Sequence, residues 1–417
     1  MKILKTRCNQ IQIRRERKNL LTALKQCFDA KRQLIFSRLQ VELLEDAYLK
    51  FGLAISTMIE IDGSILEGGG QILRIALSMS CLLKTPIRVS KIRAGRPKPG
   101  LSAQHLHGVQ LLKSMCNATA KGDVMGSTEL EFHPGDITSG KFNVDTGTAG
   151  SVALLLQVGL PVALFGRSTT TLDLKGGTNA AMAPQIDYVT EILRPNLEKM
   201  NVTFDFELFK RGYFPKGGGH CEITVQPVKT ILPCNITEFG RIQEFFGWCF
   251  VAGSLPLQMA NNMRSAARRL LQGCDNQQRE SIRYNIFSYK EEPDVAEGNC
   301  SGLVLGCLSS TGCIIGGSAL GSRNEKANVT GEKAANEILG CLQYQACVDS
   351  HTQDQLIIYM ALADGRSRIR TSPLTLHTKT AIYIVESMTK AKFYTSEQSD
   401  GAVIVECDGI GYKNKYL

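Results

Sequence analysis

From Met58 onward, apolar and polar positions fall into a recurring unit: a glycine or small polar entry, an apolar stretch with helical spacing, then a short β-branched strand. The unit occurs in EGGGQILRIALSMSCLL followed by PIRVSKI, in GTAGSVALLLQVGLPVALF followed by TTTLDL, and in DQLIIYMALA followed by SRIRT. Each such helix needs a sheet on which to bury its apolar face, so the repeat predicts a helix-on-sheet architecture. The texture changes between Pro233 and Leu342. Residues 238–251 read as a strand, 255–271 as a basic amphipathic helix, 301–315 as a strand pair and 332–342 as a closing helix. That stretch is the size of a small inserted domain, and the repeat resumes at Asp354. The division expected is 1–57 as an N-terminal extension, 58–236 as the first part of a larger domain, 237–341 as the insert and 342–417 as the last repeat.

Charge separates the extension from the rest. Of 48 Lys+Arg and 39 Asp+Glu, residues 1–57 hold 12 and 5, which leaves 36 against 34 for residues 58–417. A nearly neutral body has no global field for coating nucleic acid and fits a protein that grips one strand end through a local cluster. The extension, with Arg14, Arg15, Arg17 and Lys18 ahead of a Leu-rich helical pattern, admits three readings. It is a mitochondrial presequence, a nuclear or basic arm, or an upstream start with Met58 as the working one.

The 14 cysteines include no CxxC pair and the chain has 6 histidines, which argues against a zinc site and for free thiols in a reducing compartment, cytosol or nucleus. The longest apolar run, residues 151–165, is interrupted by Gln157 and Pro161 and is too short to cross a bilayer.

Five segments carry candidate chemistry. Glu67-Gly68-Gly69-Gly70-Gln71-Ile72-Leu73-Arg74 opens a helix on three glycines, which either lets backbone N–H groups approach a phosphate or makes a turn. Glu67 is either an oxygen ligand for a divalent ion or a carboxylate satisfying a helix dipole. Arg93-Ala94-Gly95-Arg96-Pro97-Lys98-Pro99 holds three cations on a loop stiffened by prolines, a phosphate clamp or a solvated surface. His377, in Leu376-His377-Thr378-Lys379-Thr380, lies between a strand and an apolar helix. Its neutral ring nitrogen is a competent nucleophile towards phosphorus, although a lone histidine is more often a hydrogen-bonded, partly buried side chain. His105, His107, His133 and His220 keep that second reading. Lys175-Gly176-Gly177-Thr178-Asn179 and Arg211-Gly212-Tyr213-Phe214-Pro215-Lys216-Gly217-Gly218-Gly219 add basic groups beside glycines, as loops do when they converge on an anion.

In this order, EGGGQILR, KIRAGRPKPGL with QHL, GTAGSV, KGGTNA, MAPQIDY, RGYFPKGGG, DQLIIYMALA and LHTKT resemble the RNA 3′-terminal phosphate cyclase family from about Ile59 to Gly411. The resemblance implies an α+β fold of three repeated sheet-plus-two-helix units forming a large catalytic domain, with a smaller inserted α/β domain. It implies a ligase-type enzyme that uses ATP and a divalent metal (Mg2+ or Mn2+) to turn RNA 3′-phosphate ends into 2′,3′-cyclic phosphates. His377 would become adenylylated and pass its AMP to the RNA 3′-phosphate. Glu67 matches the metal-holding position, Gln71, Arg74 and Arg93 match contacts to the nucleotide phosphates, and Gln157, Pro184, Asp354 and Gln355 match the adenosine pocket. His351 stands where family members carry an adenine-stacking tyrosine, and an imidazole stacks over less area.

The resemblance further implies a nuclear or cytoplasmic protein whose partners are ATP and RNA, with no membrane partner, and it leaves self-association open. Two other readings share the fold: a non-catalytic cyclase-like ribosome biogenesis factor, which lacks the reacting histidine, and an enolpyruvyl transferase, which the insert and LHTKT oppose.

Overall fold

A computed structural model describes residues 58–277, 281–296 and 298–417; the extension expected at 1–57 lies outside them. The described residues form one compact unit. The chain begins with β1 (Ile59–Asp62), α1 (Gly70–Leu83), β2 (Ile87–Ser90), α2 (Ala103–Met115), β3 (Thr119–Lys121) and β4 (Leu130–His133). Its sheet has the order β1-β2-β4-β3, with β1 parallel to β2 and the other pairs antiparallel.

The same path is walked again by β5 (Gly140–Asp145), α3 (Val152–Ala163), β6 (Thr170–Gly176), α4 (Ile186–Tyr188), a π turn (Val189–Leu193), α5 (Arg194–Glu198), β7 (Asp205–Lys210) and β8 (Gly219–Val225). The order β5-β6-β8-β7 and the parallel and antiparallel pairs repeat those of the first sheet.

The third unit opens with β9 (Asn235–Ile236) and is then interrupted. A separate sheet of β10 (Ile242–Ala252), β11 (Arg283–Lys290), β12 (Cys300–Ser309) and β13 (Ile314–Leu320), in the order β11-β10-β12-β13, carries α6 (Leu257–Leu271) and α7 (Ala327–Leu342). The interrupted unit then finishes with α8 (Ser350–Gln355), α9 (Ile357–Leu362), β14 (Arg366–Thr371), α10 (Leu376–Met388), β15 (Lys392–Glu397) and β16 (Val403–Asp408), in the order β15-β16-β14-β9. Read from β9, this is the same order a third time, so the α+β fold of three sheet-and-helix repeats is the observed one.

Local chemistry explains the elements. Strands β6 and β8 alternate buried with less buried positions, as one-sided sheets do. Helix α3 is buried on nearly every side because it packs against α1 and α2 as well as its own sheet. Three details differ from the sequence reading. The first insert strand starts at Ile242 and not at 238, since Gly240 turns with φ 73° and the Thr311 hydroxyl bonds the carbonyls of Glu238 and Phe239 at 2.7 Å each. Strand β11 was not anticipated, because it is an edge strand with mostly exposed or half-buried positions. The helix of the third repeat is divided at Leu356 into α8 and α9. Among the described residues, no helix is long and apolar enough to cross a membrane.

Candidate active site

The glycine triplet is explained by what lies over it. Gly68 has φ 60°, a left-handed conformation that favours glycine. A Cβ on Gly69 would overlap the Glu67 carboxylate, and one on Gly70 would overlap His105 Nε2 and come within 2.7 Å of Arg74 Nη1. Three polar side chains therefore fold directly onto the backbone that starts α1. The N-cap Gly69 contributes no side-chain bond, so the first N–H groups of the helix keep their capacity to meet an anion. Glu67 pairs with Arg96 through Oε1, and its backbone N–H donates to Thr380 Oγ1 at 3.2 Å. Its Oε2 is buried without a hydrogen-bond partner.

One turn into α1, Gln71 Nε2 donates to Asp354 Oδ2 at 2.6 Å, and Arg74 Nη2 donates to Gln71 Oε1 at 2.6 Å. This relay joins the first repeat to the third. Burial pushes the Asp354 carboxyl above the usual range, while His377, Arg74, His351 and the Gln71 bond pull it back. Burial lowers the Arg74 guanidinium, and Asp354 and Glu67 oppose that. Gln71, Arg74, Gln157, Asp354 and Gln355 line one cavity together with apolar residues of α3 and α9. Gln157 Oε1 is buried there without a partner. Gln355 donates to the His351 carbonyl at 2.9 Å.

His377 occupies the first turn of α10, behind the N-cap Thr375, and is exposed. Gln353 fixes that turn: its Oε1 accepts from Thr375 N at 2.9 Å and from Thr378 Oγ1, while its Nε2 donates to Thr371 Oγ1. His377 is close enough to Asp354 to pull its pKa down and so favour the ionised carboxylate, and Thr380, which receives the Glu67 N–H, follows one turn later.

The remaining predicted residues are spread around this centre. Arg93, itself at φ 53°, donates to the Gly100 carbonyl at 2.8 Å. Burial and the neighbouring Arg96 lower the pKa of its guanidinium, and Glu67 opposes them in part. His351 lies with Nε2 3.6 Å from Glu337 Oε1 and its ring edge-on to Tyr188, centroids 5.9 Å apart. Glu337 raises its pKa to about 9. Pro184 is half-buried in the turn before α4 and is not among the residues lining the cavity.

Residues 65–395 match the sequence model of the RNA 3′-terminal phosphate cyclase family. A protein named RNA 3′-terminal phosphate cyclase from Drosophila melanogaster is 42% identical over 360 residues, covering 86% of this chain and 99% of its own length. The chain belongs to the RNA 3′-terminal phosphate cyclase family. Proteins of the same name from Sulfolobus acidocaldarius (44% over 325 residues, 78% of this chain and 92% of theirs) and Pyrobaculum aerophilum (38% over 356 residues, 85% and 99%) are also similar. It is therefore an enzyme of this cyclase family.

The donor set suits ATP and a divalent ion. Glu67 Oε2, Arg74 Nε, Gln104 Oε1 and Gln157 Oε1 are buried polar atoms without protein partners, as expected where a ligand completes the bonding. Among the described residues no three His, Cys, Asp or Glu side chains cluster as a cage. A magnesium-type ion held by one carboxylate and the substrate's own phosphates needs none.

Two features escaped the sequence reading. His105 lies over Gly70, and its pKa falls to about 3 through burial and the nearby Arg74 and Arg93. Its signal was the Ser102-x-x-His105 spacing of a helix cap. The second is a buried knot in which Arg211 grips Asp187 in bidentate fashion at 2.7 and 2.8 Å and also pairs with Glu291. It ties the second repeat to the inserted sheet, and sequence spacing carries no trace of it.

Proposed function

We propose that this chain converts RNA 3′-phosphate ends to 2′,3′-cyclic phosphates at the expense of ATP, with His377 as the nucleophile. The observation that carries the reading is the convergence of His377, Asp354 and the Gln71–Arg74 relay, next to the partnerless Glu67 oxygen. The names of the similar proteins support the overall reaction.

In this reading a neutral His377 ring nitrogen attacks the α-phosphorus of ATP and expels pyrophosphate. Asp354, held in place by Gln71, sits where the imidazole gains positive charge and stabilises it. The RNA 3′-phosphate oxygen then attacks the same phosphorus, freeing His377 and leaving RNA capped with AMP. The vicinal 2′-hydroxyl attacks the capped 3′-phosphorus, loses its proton, and AMP departs; closing a ring on the adjacent hydroxyl profits from proximity. Arg74, Arg93 and Arg96 bind the phosphate groups, and guanidinium forks suit that task. Glu67 would hold a magnesium or manganese ion, which when bound neutralises triphosphate charge and orients pyrophosphate for departure. The adenosine would lie along Gln157, Gln355 and His351.

The test is to incubate the chain with ATP, magnesium and an oligoribonucleotide ending in a 3′-phosphate, then treat the product with phosphatase. We expect the terminal phosphate to become phosphatase-resistant only when ATP is present. An end that stays fully sensitive sinks the reading, and with it the choice of catalysis over the assembly-factor role.

A further inference from the structure

Ser102 and His105 form a reciprocal cap at the start of α2. The Ser102 side chain accepts from the backbone N–H of His105, and His105 Nδ1 accepts from the Ser102 backbone N–H at 3.3 Å. A ring nitrogen that accepts a backbone N–H carries no proton of its own, so the proton of the neutral imidazole sits on Nε2. The Ser102 hydroxyl, 2.6 Å from the same Nδ1, completes the arrangement by donating to it. The cap thus fixes the tautomer and aims an N–H donor at the entry of α1.

That donor hangs over Gly70 beside Arg74 Nη1. His105 and Arg74 also line a second small cavity together with Gln104, whose Oε1 is buried and unpartnered. Every hydrogen bond described for the His105 ring is made by Nδ1. Two donors therefore converge at a helix start whose N–H groups lack a side-chain cap, and what they lack is an anionic acceptor.

We propose that His105 Nε2–H donates to a phosphate oxygen held at the start of α1, beside Arg74. The inference rests on the cyclase reading above. A neutral donor among arginines adds direction without adding charge: it orients the phosphate and leaves the positive field unchanged. It also gives Gly70 a purpose, since any side chain there would push the imidazole off its target.

The cap supplies its own controls, because glutamine and glutamate both serve at this helix position. His105→Gln keeps an acceptor for Ser102 and an N–H for the phosphate. His105→Glu keeps the acceptor and loses the donor, and His105→Leu loses both. Each variant is examined by thermal unfolding, by KM for ATP in self-adenylylation, and by KM for a 3′-phosphorylated oligoribonucleotide added to pre-adenylylated enzyme. We expect the glutamine variant to stay close to wild type. The glutamate and leucine variants should show a rise of roughly 10- to 100-fold in one of the two KM values, the size of a lost bond to a charged group. A rise for ATP assigns the oxygen to the triphosphate, and a rise for RNA assigns it to the 3′-phosphate.

Long-range 1H–15N spectra of labelled histidine, assigned with His105→Gln, read the tautomer directly. The proton should be on Nε2, and that nitrogen should shift on addition of inorganic triphosphate or of 3′-phosphorylated RNA. A proton on Nδ1, or an Nε2 indifferent to both probes, overturns the proposal. So do glutamine and glutamate variants of equal stability and equal KM. Failure of the cyclase reading is separable: wild type would then not self-adenylylate, while the spectra would still judge His105.

Discussion

Gln71 and Asp354 are 283 positions apart in the chain and meet in a 2.6 Å hydrogen bond that joins the first helix of the first repeat to the third repeat. Arg74 extends the contact through the other end of the same amide. The relay is possible because the third repeat, interrupted after β9 by the inserted sheet, closes back on the first: α10 packs along α1, and the Glu67 N–H reaches Thr380.

Asp354 should trade stability for function. Its raised pKa means that the ionised carboxylate is disfavoured by folding at neutral pH. Asp354→Asn, which keeps the shape and an acceptor for Gln71, should therefore unfold at an equal or higher temperature at pH 7. It should lose roughly 10- to 100-fold in the rate of adenylylation, having lost the charge beside His377. Parallel calorimetry and label-transfer rates check both signs. A stabilised variant of undiminished rate would remove Asp354 from the mechanism.

The Arg211 knot should behave as a structural lock. Arg211→Met leaves Asp187 and Glu291 buried with no cation between them, and breaking a buried ion pair on one side costs about 3–5 kcal/mol. Denaturant unfolding should show that loss. Adding Asp187→Asn and Glu291→Gln should recover most of it.

His351 gives the stability a basic limb. Its folded pKa of about 9 lies above the ordinary 6.5 because of Glu337. The stabilisation is fully present below pH 6.5 and is lost as pH rises through 9. The half-exposed position of the pair keeps the effect small. Urea midpoints between pH 6 and 9.5 should decline more steeply in wild type than in Glu337→Gln.

In the proposed reading the same residue stacks on the adenine of ATP. An imidazole offers less stacking area than a phenol, so His351→Tyr should lower KM for ATP by roughly 2- to 10-fold, the range of an aromatic stacking gain. Steady-state adenylylation with ATP and GTP measures both affinity and base preference. A higher KM for ATP would contradict the stacking role.

The repeat and the insert were legible because each rests on local periodicity: the apolar runs that became α1, α3 and α9 are helical stripes, and glycine marks the entries of α1 and α3. EGGGQILR was legible as a candidate site but not as a construction. Sequence suggested glycines that admit a phosphate, whereas Gly69 and Gly70 first of all admit the protein's own Glu67, His105 and Arg74. His105 was passed over because what it faces, Gly70 and Arg74 at the start of α1, lies on another helix and not among its neighbours in sequence. Strand β9, two residues long, and the Arg211 knot are products of tertiary closure, and no local pattern announces them.

The central claim is covalent chemistry at His377, and the direct measurement is transfer of label from α-labelled ATP with magnesium to the protein, compared between wild type and His377→Ala. The account predicts acid-labile, base-stable label on wild type and none on the variant. Equal label on both, or none on wild type that demonstrably binds ATP, would contradict it.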